Sequence, residues 1–330
     1  MDSKKQLIKL EKEMRVDHKK DIGFRYPSLE DKGSNYKDRE EEYEETLRGE
    51  LHPLWLIDIF DSQHDWYLDN AQYQILAKKD KHKAIDYFGN MAAYGYLTLN
   101  TKVECFSCPN VPSQESVSIH IGTVMMAEIL LCGWEEEYKE IGEWFIDSIA
   151  YGYQKKPESE GIYIHKIIIS GDPDHLVGWF LLDLYCKVYH KTYDMKSAKY
   201  PKEMLFFSEI IDNWNTEDML EVEKYVYLLS EYHLLHTQVE KADDDLFVFD
   251  HPDYWLFPVE ILAWLKLREM NGLQNPKEFS HPFMNTEVAQ TFLNIKTPLA
   301  KPKALPFAKE LIENFKKKLC PDIKVPTWIE

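Results

Sequence analysis

The chain has 330 residues, 44% of them hydrophobic and 29% charged, and a formal net charge of −18. This is the composition of a globular protein, which excludes a disordered or a membrane-embedded chain. With only 13 glycines, a many-turned β-sandwich or a nucleotide-binding α/β enzyme with glycine-rich loops is not expected either.

The negative charge is concentrated in the middle of the chain. Residues 1–20 carry +3 and residues 296–318 carry +5, and because residues 319–330 carry −1, about −25 remains for the residues between. A field of that sign repels nucleic acid and anionic lipid and attracts basic partners. Solubility alone is also a common reason for an acidic surface.

In chain order, residues 1–35 predict a charged, poorly ordered lead-in that ends in turn-forming residues. Residues 36–155 predict an N-terminal helical domain, because apolar side chains recur at helical spacing through most of it. Within this domain, the run SVSIHIGTVMMAEILLCG at 116–133 is apolar nearly all round, which is typical of a central buried helix. Gly133 stands where the end of a helix favours glycine.

The segment KPESEG at 156–161 is the candidate domain junction, and residues 162–330 predict a C-terminal helical domain. The run IYIHKIIIS that opens it fits a short β-strand or a buried helix, because periodicity does not separate the two. Helix starts are indicated by capping residues further on. Pro173 and Pro258 suit the first position of a helix. The sequence NTED at 215–218, which ends in Asp218, resembles a capping box.

These patterns together predict an all-α fold of about ten to twelve helices packed as antiparallel pairs, with room for one short strand pair. There is no fixed-length repeat with a recurring signature, so a solenoid is not expected. No apolar run is long enough for a membrane span, and the first residues lack the apolar region of a secretory signal. We therefore expect a cytoplasmic protein with reduced thiols.

The stretch EKADDDLFVFDHPDYWLFPVE at 240–260 combines acidic and aromatic side chains. At protein interfaces, tyrosine and tryptophan are frequent anchors, while carboxylates steer a basic partner. An ordinary solvated loop that leads into a buried helix is the alternative interpretation. If the stretch binds a partner, its candidate partner-binding residues are Asp243, Asp244, Asp245, Asp250, Asp253, Tyr254 and Trp255.

The search for catalytic and metal-binding patterns finds no complete motif. Cys105 and Cys108 form half of a zinc or redox motif, but the other cysteines are isolated and a structural zinc site uses four ligands. His233 and His236 share a helix face without the glutamate of a zinc-protease motif. There is no phosphate-binding glycine loop and no nucleophile elbow. We therefore expect no enzyme activity and no catalytic, cofactor-binding or metal-binding residues.

The C-terminal third resembles the C-terminal region of PoNi-type immunity proteins. In that family a Tyr-Trp pair precedes an apolar, alanine-rich helix and follows a helix with an acidic linker. The matching residues here are Tyr254, Trp255 and the helix at 259–267, and the chain departs from the pattern at Pro258, where the family favours an acidic residue. The resemblance implies a helical fold and a partner that is a DNA-cleaving bacterial toxin domain.

The leading hypothesis is thus an immunity protein that binds and neutralises a cognate toxin with a basic effector domain, a nuclease by the resemblance, without itself binding nucleic acid or membrane. The first alternative is an acidic helical scaffold or adaptor outside any toxin system. The second alternative is a metal-dependent enzyme whose site is hidden in the fold. Its candidate ligands are carboxylates together with His120, His165, His175, His233 and His236.

Overall fold

A computed structural model describes most residues of the chain. They form an all-α fold, as the sequence predicts, with twelve α-helices and one two-residue strand pair. The predicted junction at 156–161 lies outside them. The described residues are 3–20, 34–105, 117–150, 169–170, 175–195, 200–237, 249 and 252–329.

Helices follow one another through both halves of the chain. The first half contains α1 (Ser3–Lys20), α2 (Ser34–Arg48), α3 (Trp55–Tyr73), α4 (Lys81–Cys105), β1 (Val117–Ser118), α5 (Ile119–Leu131) and α6 (Glu135–Ala150). The second half contains β2 (Ile169–Ser170), α7 (Leu176–Tyr189), α8 (Phe207–Asp212), α9 (Met219–Leu235), α10 (Val259–Met270), α11 (Glu287–Leu293) and α12 (Ala308–Lys318). Shorter turns are a π-helical turn at Gln74–Lys78 and 3-10 turns at Pro252–Tyr254 and Pro282–Asn285.

The helix α5 lies at the centre of the fold, as its apolar sequence predicts. It packs against α4 and α6 from the first half and against α7 and α10 from the second. The approach of α7 is close because Gly178 has no side chain: a Cβ there would lie 3.0 Å from the Cα of His120. One hydrophobic core therefore runs through residues of both predicted domains.

Local sequence signals set the ends of several helices. After α5, Gly133 adopts φ +77°, a backbone conformation that favours glycine and ends the helix as predicted. At the start of α9, the Asp218 carboxylate accepts a hydrogen bond from the Leu220 amide at 2.9 Å. Pro258 stands one position before α10, which begins at Val259. The ambiguous run at 162–170 ends in β2, whose Ile169 pairs with Val117 in parallel.

Two expectations differ from the structure. The lead-in predicted over residues 1–35 contains α1, and three of its apolar side chains, Leu7, Leu10 and Met14, are buried in the core. Their spacing of three and four residues places them on one helix face, so α1 is held by packing. The thiols are not all reduced either. Cys105, Cys132 and Cys186 are buried and form no disulfide, whereas Cys320 is disulfide-bonded.

The described helices were also searched for a membrane span. None of those helices is both long enough and apolar enough to cross a bilayer.

Candidate partner-binding segment and the buried network at its base

The structure describes only the C-terminal end of the predicted partner-binding segment. Asp243, Asp244, Asp245 and Asp250 lie outside the described residues. Asp253 and Trp255 are buried, and Tyr254 is partly buried with its hydroxyl directed at the buried Glu128. In this placement these three side chains face the core instead of solvent. The prediction of a partner-binding surface therefore rests on Asp243, Asp244, Asp245 and Asp250.

The described residues on either side of positions 238–248 meet one another. The Phe249 amide donates a hydrogen bond to the carbonyl of His236 at 3.4 Å. The buried ring of Phe249 stacks on the ring of His233, with 3.8 Å between their centroids. Thr237, at the end of α9, is buried and donates to the carbonyl of His233 at 2.8 Å. Thr237 and Phe249, the described residues on the two sides of positions 238–248, therefore both lie against the end of α9.

His233 is the first member of a buried polar network beneath this point. Its Nε2 lies 2.9 Å from the carbonyl oxygen of Tyr254, and its Nδ1 lies 2.9 Å from Oε1 of Glu260 on α10. Because a carbonyl only accepts, Nε2 must carry a proton and donate it. A further proton must lie between Nδ1 and Glu260, either on the ring or on the carboxyl group. This pair ties the backbone at Tyr254 to α9 and α10.

Glu128 is the second centre of the network. On α5, its Oε1 accepts a hydrogen bond from the Tyr254 hydroxyl at 3.1 Å, and its Oε2 lies 2.7 Å from Nε2 of His64 on α3. The side chain of Gln72, also on α3, donates to the Asp253 carbonyl at 2.6 Å. We call His64, Glu128, His233, Tyr254 and Glu260 the buried network. It joins four helices to the backbone that follows the acidic stretch.

His64 is held in its charged form by two carboxylates. Its Nδ1 lies 3.0 Å from Asp65 Oδ1 and its Nε2 faces Glu128, so both ring nitrogens donate. Burial lowers the pKa of the ring, but the charge of Glu128 and the hydrogen bonds to Asp65 and Glu128 outweigh this effect. The pKa of His64 is therefore raised well above 6.5.

The raised pKa predicts a pH dependence of stability. Because the folded protein binds this proton more tightly than the unfolded chain, the stabilisation is fully present below about pH 6.5 and is lost as pH rises through the folded-state pKa. Urea unfolding of the wild type and of His64→Gln is expected to show the wild-type advantage shrinking from about pH 6 to about pH 9. The exposed His82→Gln on α4 is the matched control and should show a constant difference. A wild-type advantage that grows with pH would contradict the assignment.

The arrangement of the network indicates a structural function for it. Its two histidines and two glutamates are buried, so a substrate in solution has no route to them. Both nitrogens of His233 are already hydrogen-bonded, as are both nitrogens of His64. The chemistry available to these residues is thus the cross-linking of helices by charged hydrogen bonds.

The described histidines of the metal-site alternative are not placed as one set of metal ligands. His120 and His175 stack with 4.9 Å between ring centroids, whereas Nδ1 of His236 lies 2.8 Å from the Tyr232 carbonyl. His165 lies outside the described residues. In the part of the chain that the structure describes, no group of three or more His, Cys, Asp or Glu side chains is placed to hold a metal ion.

Sequence reasoning missed the network, although one signal for it exists. Glu128 is the single charged residue in the apolar run from Ile119 to Leu131. A carboxylate in a helix that is apolar nearly all round requires a partner, because an unpaired buried charge is costly. The identity of that partner does not follow from the sequence, since His64 is 64 positions away.

Comparison with known proteins does not assign the chain to a family. No family model matches it, and neither does any curated protein or solved structure.

Proposed function

We propose that the chain is an immunity protein that binds a cognate bacterial toxin through its acidic stretch and thereby neutralises it. The proposed partner is a basic effector domain, specifically a nuclease. Three features support the proposal. They are the net charge of −18, the C-terminal resemblance to PoNi-type immunity proteins, and the anchored base of the acidic stretch.

The anchored base is the observation that carries the proposal furthest. His236 and Phe249 join the chain on both sides of positions 238–248, and His233 and Glu128 hold Tyr254 just beyond. Fixing the ends of a segment lowers the conformational entropy that the segment loses when it binds. The described residues on both sides of the four aspartates at 243–250 are thus held by contacts with α9 and with the buried network.

The proposed mechanism is electrostatic exclusion of the nucleic acid. A nuclease cleft is basic because it must hold phosphates, so an acidic segment can occupy it in place of the substrate. Opposite charge also accelerates the encounter at low salt. In this account the chain performs no bond-making step of its own.

Co-expression tests the proposal in cells. The effector domain encoded by the gene that neighbours this chain is expressed with wild type or with Asp243→Lys/Asp244→Lys/Asp245→Lys, and survival is measured. We expect wild type to protect the cells and the charge-reversed triple variant to lose protection, because its carboxylates are replaced by charges that repel a basic cleft.

The matched control is Glu41→Lys/Glu44→Lys/Glu45→Lys, which reverses the same charge on α2. It should protect as wild type does if the acidic stretch makes the contact. Loss of protection in both triple variants would indicate an effect of net charge alone. Full protection by the aspartate variant would remove the stretch from the contact, and no protection by wild type would favour the adaptor alternative.

A further inference from the structure

The outer face of α9 carries large apolar side chains that the core does not cover. Leu220, Tyr227 and Leu235 are 81%, 47% and 57% exposed. Their spacing of seven and eight residues places them along one side of the helix, over about 22 Å. We call these three residues the outer stripe of α9. Several apolar side chains exposed along one helix indicate an interaction site more often than a single exposed residue does.

The outer stripe stands on a rigid support. The opposite face of α9 buries Val222, Tyr225, Val226 and Leu229 in the core. On the stripe itself, the ring of Tyr227 packs edge-on against His281, with 5.0 Å between centroids. His281 in turn lies 2.9 Å from Glu231 of the same helix. The helix is thus held by the core and the ring of Tyr227 by His281, which lowers the entropic cost of binding there.

The sequence that carries the stripe is strongly acidic. From residue 209 to residue 235 the chain has seven Asp and Glu against one lysine, a net charge of −6. That lysine, Lys224, is itself 2.8 Å from the carboxylate of Glu209. Glu217 and Asp218 are exposed at the start of the helix. A complementary surface would therefore have an apolar centre surrounded by lysine and arginine side chains.

A second copy of this chain fits the stripe less well than a basic protein does. A two-fold dimer through this face would bring the acidic residues of one copy against the same residues of the other. Like charges at an interface oppose association, whereas a basic surface gains from the same field. Charge complementarity therefore selects a cationic partner for this face.

We propose that the outer stripe of α9 is a second contact for the toxin effector domain, which docks an apolar patch ringed by Lys and Arg side chains on it. This inference rests on the proposed function and assigns a different role to each surface. The acidic stretch steers the encounter through charge, while Leu220 and Tyr227 anchor the complex through buried apolar area.

Titration of the purified full chain with an inactivated effector domain tests the proposal. The probe is the domain encoded by the neighbouring gene, with a substitution that abolishes its toxicity. For Leu220→Ser/Tyr227→Ser we expect the Kd to rise about tenfold or more. The matched control is Ile121→Ser, which removes a side chain of similar exposure, 55%, from α5. It should leave the Kd unchanged.

The dependence of the Kd on salt concentration distinguishes the outer stripe of α9 from the acidic stretch. Between about 50 mM and about 500 mM NaCl, the ratio of variant to wild-type Kd should stay constant for Leu220→Ser/Tyr227→Ser, because an apolar contact is not screened. The ratio for Asp243→Lys/Asp244→Lys/Asp245→Lys should fall over the same range. A stripe ratio that falls in the same way would show that the stripe acts through charge, against the proposal.

The outcomes distinguish this inference from the function on which it rests. Unchanged Kd for the stripe variant, with wild type binding tightly, overturns the second contact and leaves the proposed function standing. No binding by wild type overturns the proposed function and the second contact with it. Sedimentation of the chain alone gives a third outcome. A wild-type dimer that the stripe variant lacks would assign the stripe to a second copy and overturn the proposal.

Discussion

Replacement of Glu128 by leucine is expected to lower the free energy of unfolding by about 3–5 kcal/mol. The substitution leaves the buried imidazolium of His64 with Asp65 as its remaining carboxylate neighbour. It also removes the acceptor of the Tyr254 hydroxyl. Urea denaturation at neutral pH, followed by far-UV circular dichroism, measures the change.

Two controls test whether the loss comes from a broken buried pair. Glu135→Gln removes a carboxylate from an exposed pair with Lys139, 2.6 Å apart, and should change stability by no more than about 1 kcal/mol. His64→Leu/Glu128→Leu removes both charges and should recover much of the stability that Glu128→Leu loses. If the loss of stability in the double variant equals the sum of the losses in His64→Leu and Glu128→Leu, the two residues are not coupled. The assignment of a buried pair between them would then be wrong.

Arg268→Met is expected to lower the free energy of unfolding by about 2–4 kcal/mol. Arg268 on α10 is buried, and its guanidinium donates to the carbonyls of Trp214 and Gln274 and to the side chain of Asn275, at 2.9–3.0 Å. Methionine fills much of the same volume but donates nothing. The Gln274 carbonyl therefore loses its guanidinium donor, while Trp214 keeps the indole of Trp264 at 3.1 Å.

The matched control for Arg268 lies on the nearby surface. Lys296 forms an exposed pair with Glu269 at 2.5 Å, so Lys296→Met should change stability by less than about 1 kcal/mol. The same urea experiment measures both variants. Equal losses in the two would contradict the assignment of Arg268 as a buried anchor between α10 and the chain that precedes α9.

Local rules explain the part of the fold that the sequence predicts. The apolar run that becomes α5 favours burial of most of the helix, and Gly133 supplies the φ +77° at which it ends. Asp218 caps α9 because its short carboxylate reaches the amide two residues on. Each of these signals depends on neighbours in the sequence, so it can be interpreted without the tertiary structure.

The rest of the fold depends on contacts between distant residues. Tyr254 and Glu128 are 126 positions apart and His233 and Glu260 are 27 apart, so only packing brings them together. The helix α1 was missed because charge dominates its sequence. Yet Leu7, Leu10 and Met14 give it a core-facing side that α9 and the 3-10 turn at Pro282–Asn285 cover.

The candidate site also has features that the sequence predicts and features that depend on contacts between distant residues. The acidic composition of 240–253 is visible in the sequence, but the direction in which each side chain points is not. Tyr254 and Trp255 have the chemistry of interface anchors and of core residues alike. Buried hydrogen-bond partners on α5 and α9 decide that the chain at Tyr254 is drawn into the fold.

We propose that carboxylates of the acidic stretch bind a cationic effector domain. The most direct test is the Kd of the inactivated effector domain for the full chain and for Asp243→Asn/Asp244→Asn/Asp245→Asn, in about 50 mM and about 500 mM NaCl. We expect tight binding at low salt that weakens about tenfold or more at high salt, and a smaller salt effect in the asparagine variant. A Kd that is the same at both salt concentrations, and the same in the variant, would contradict it.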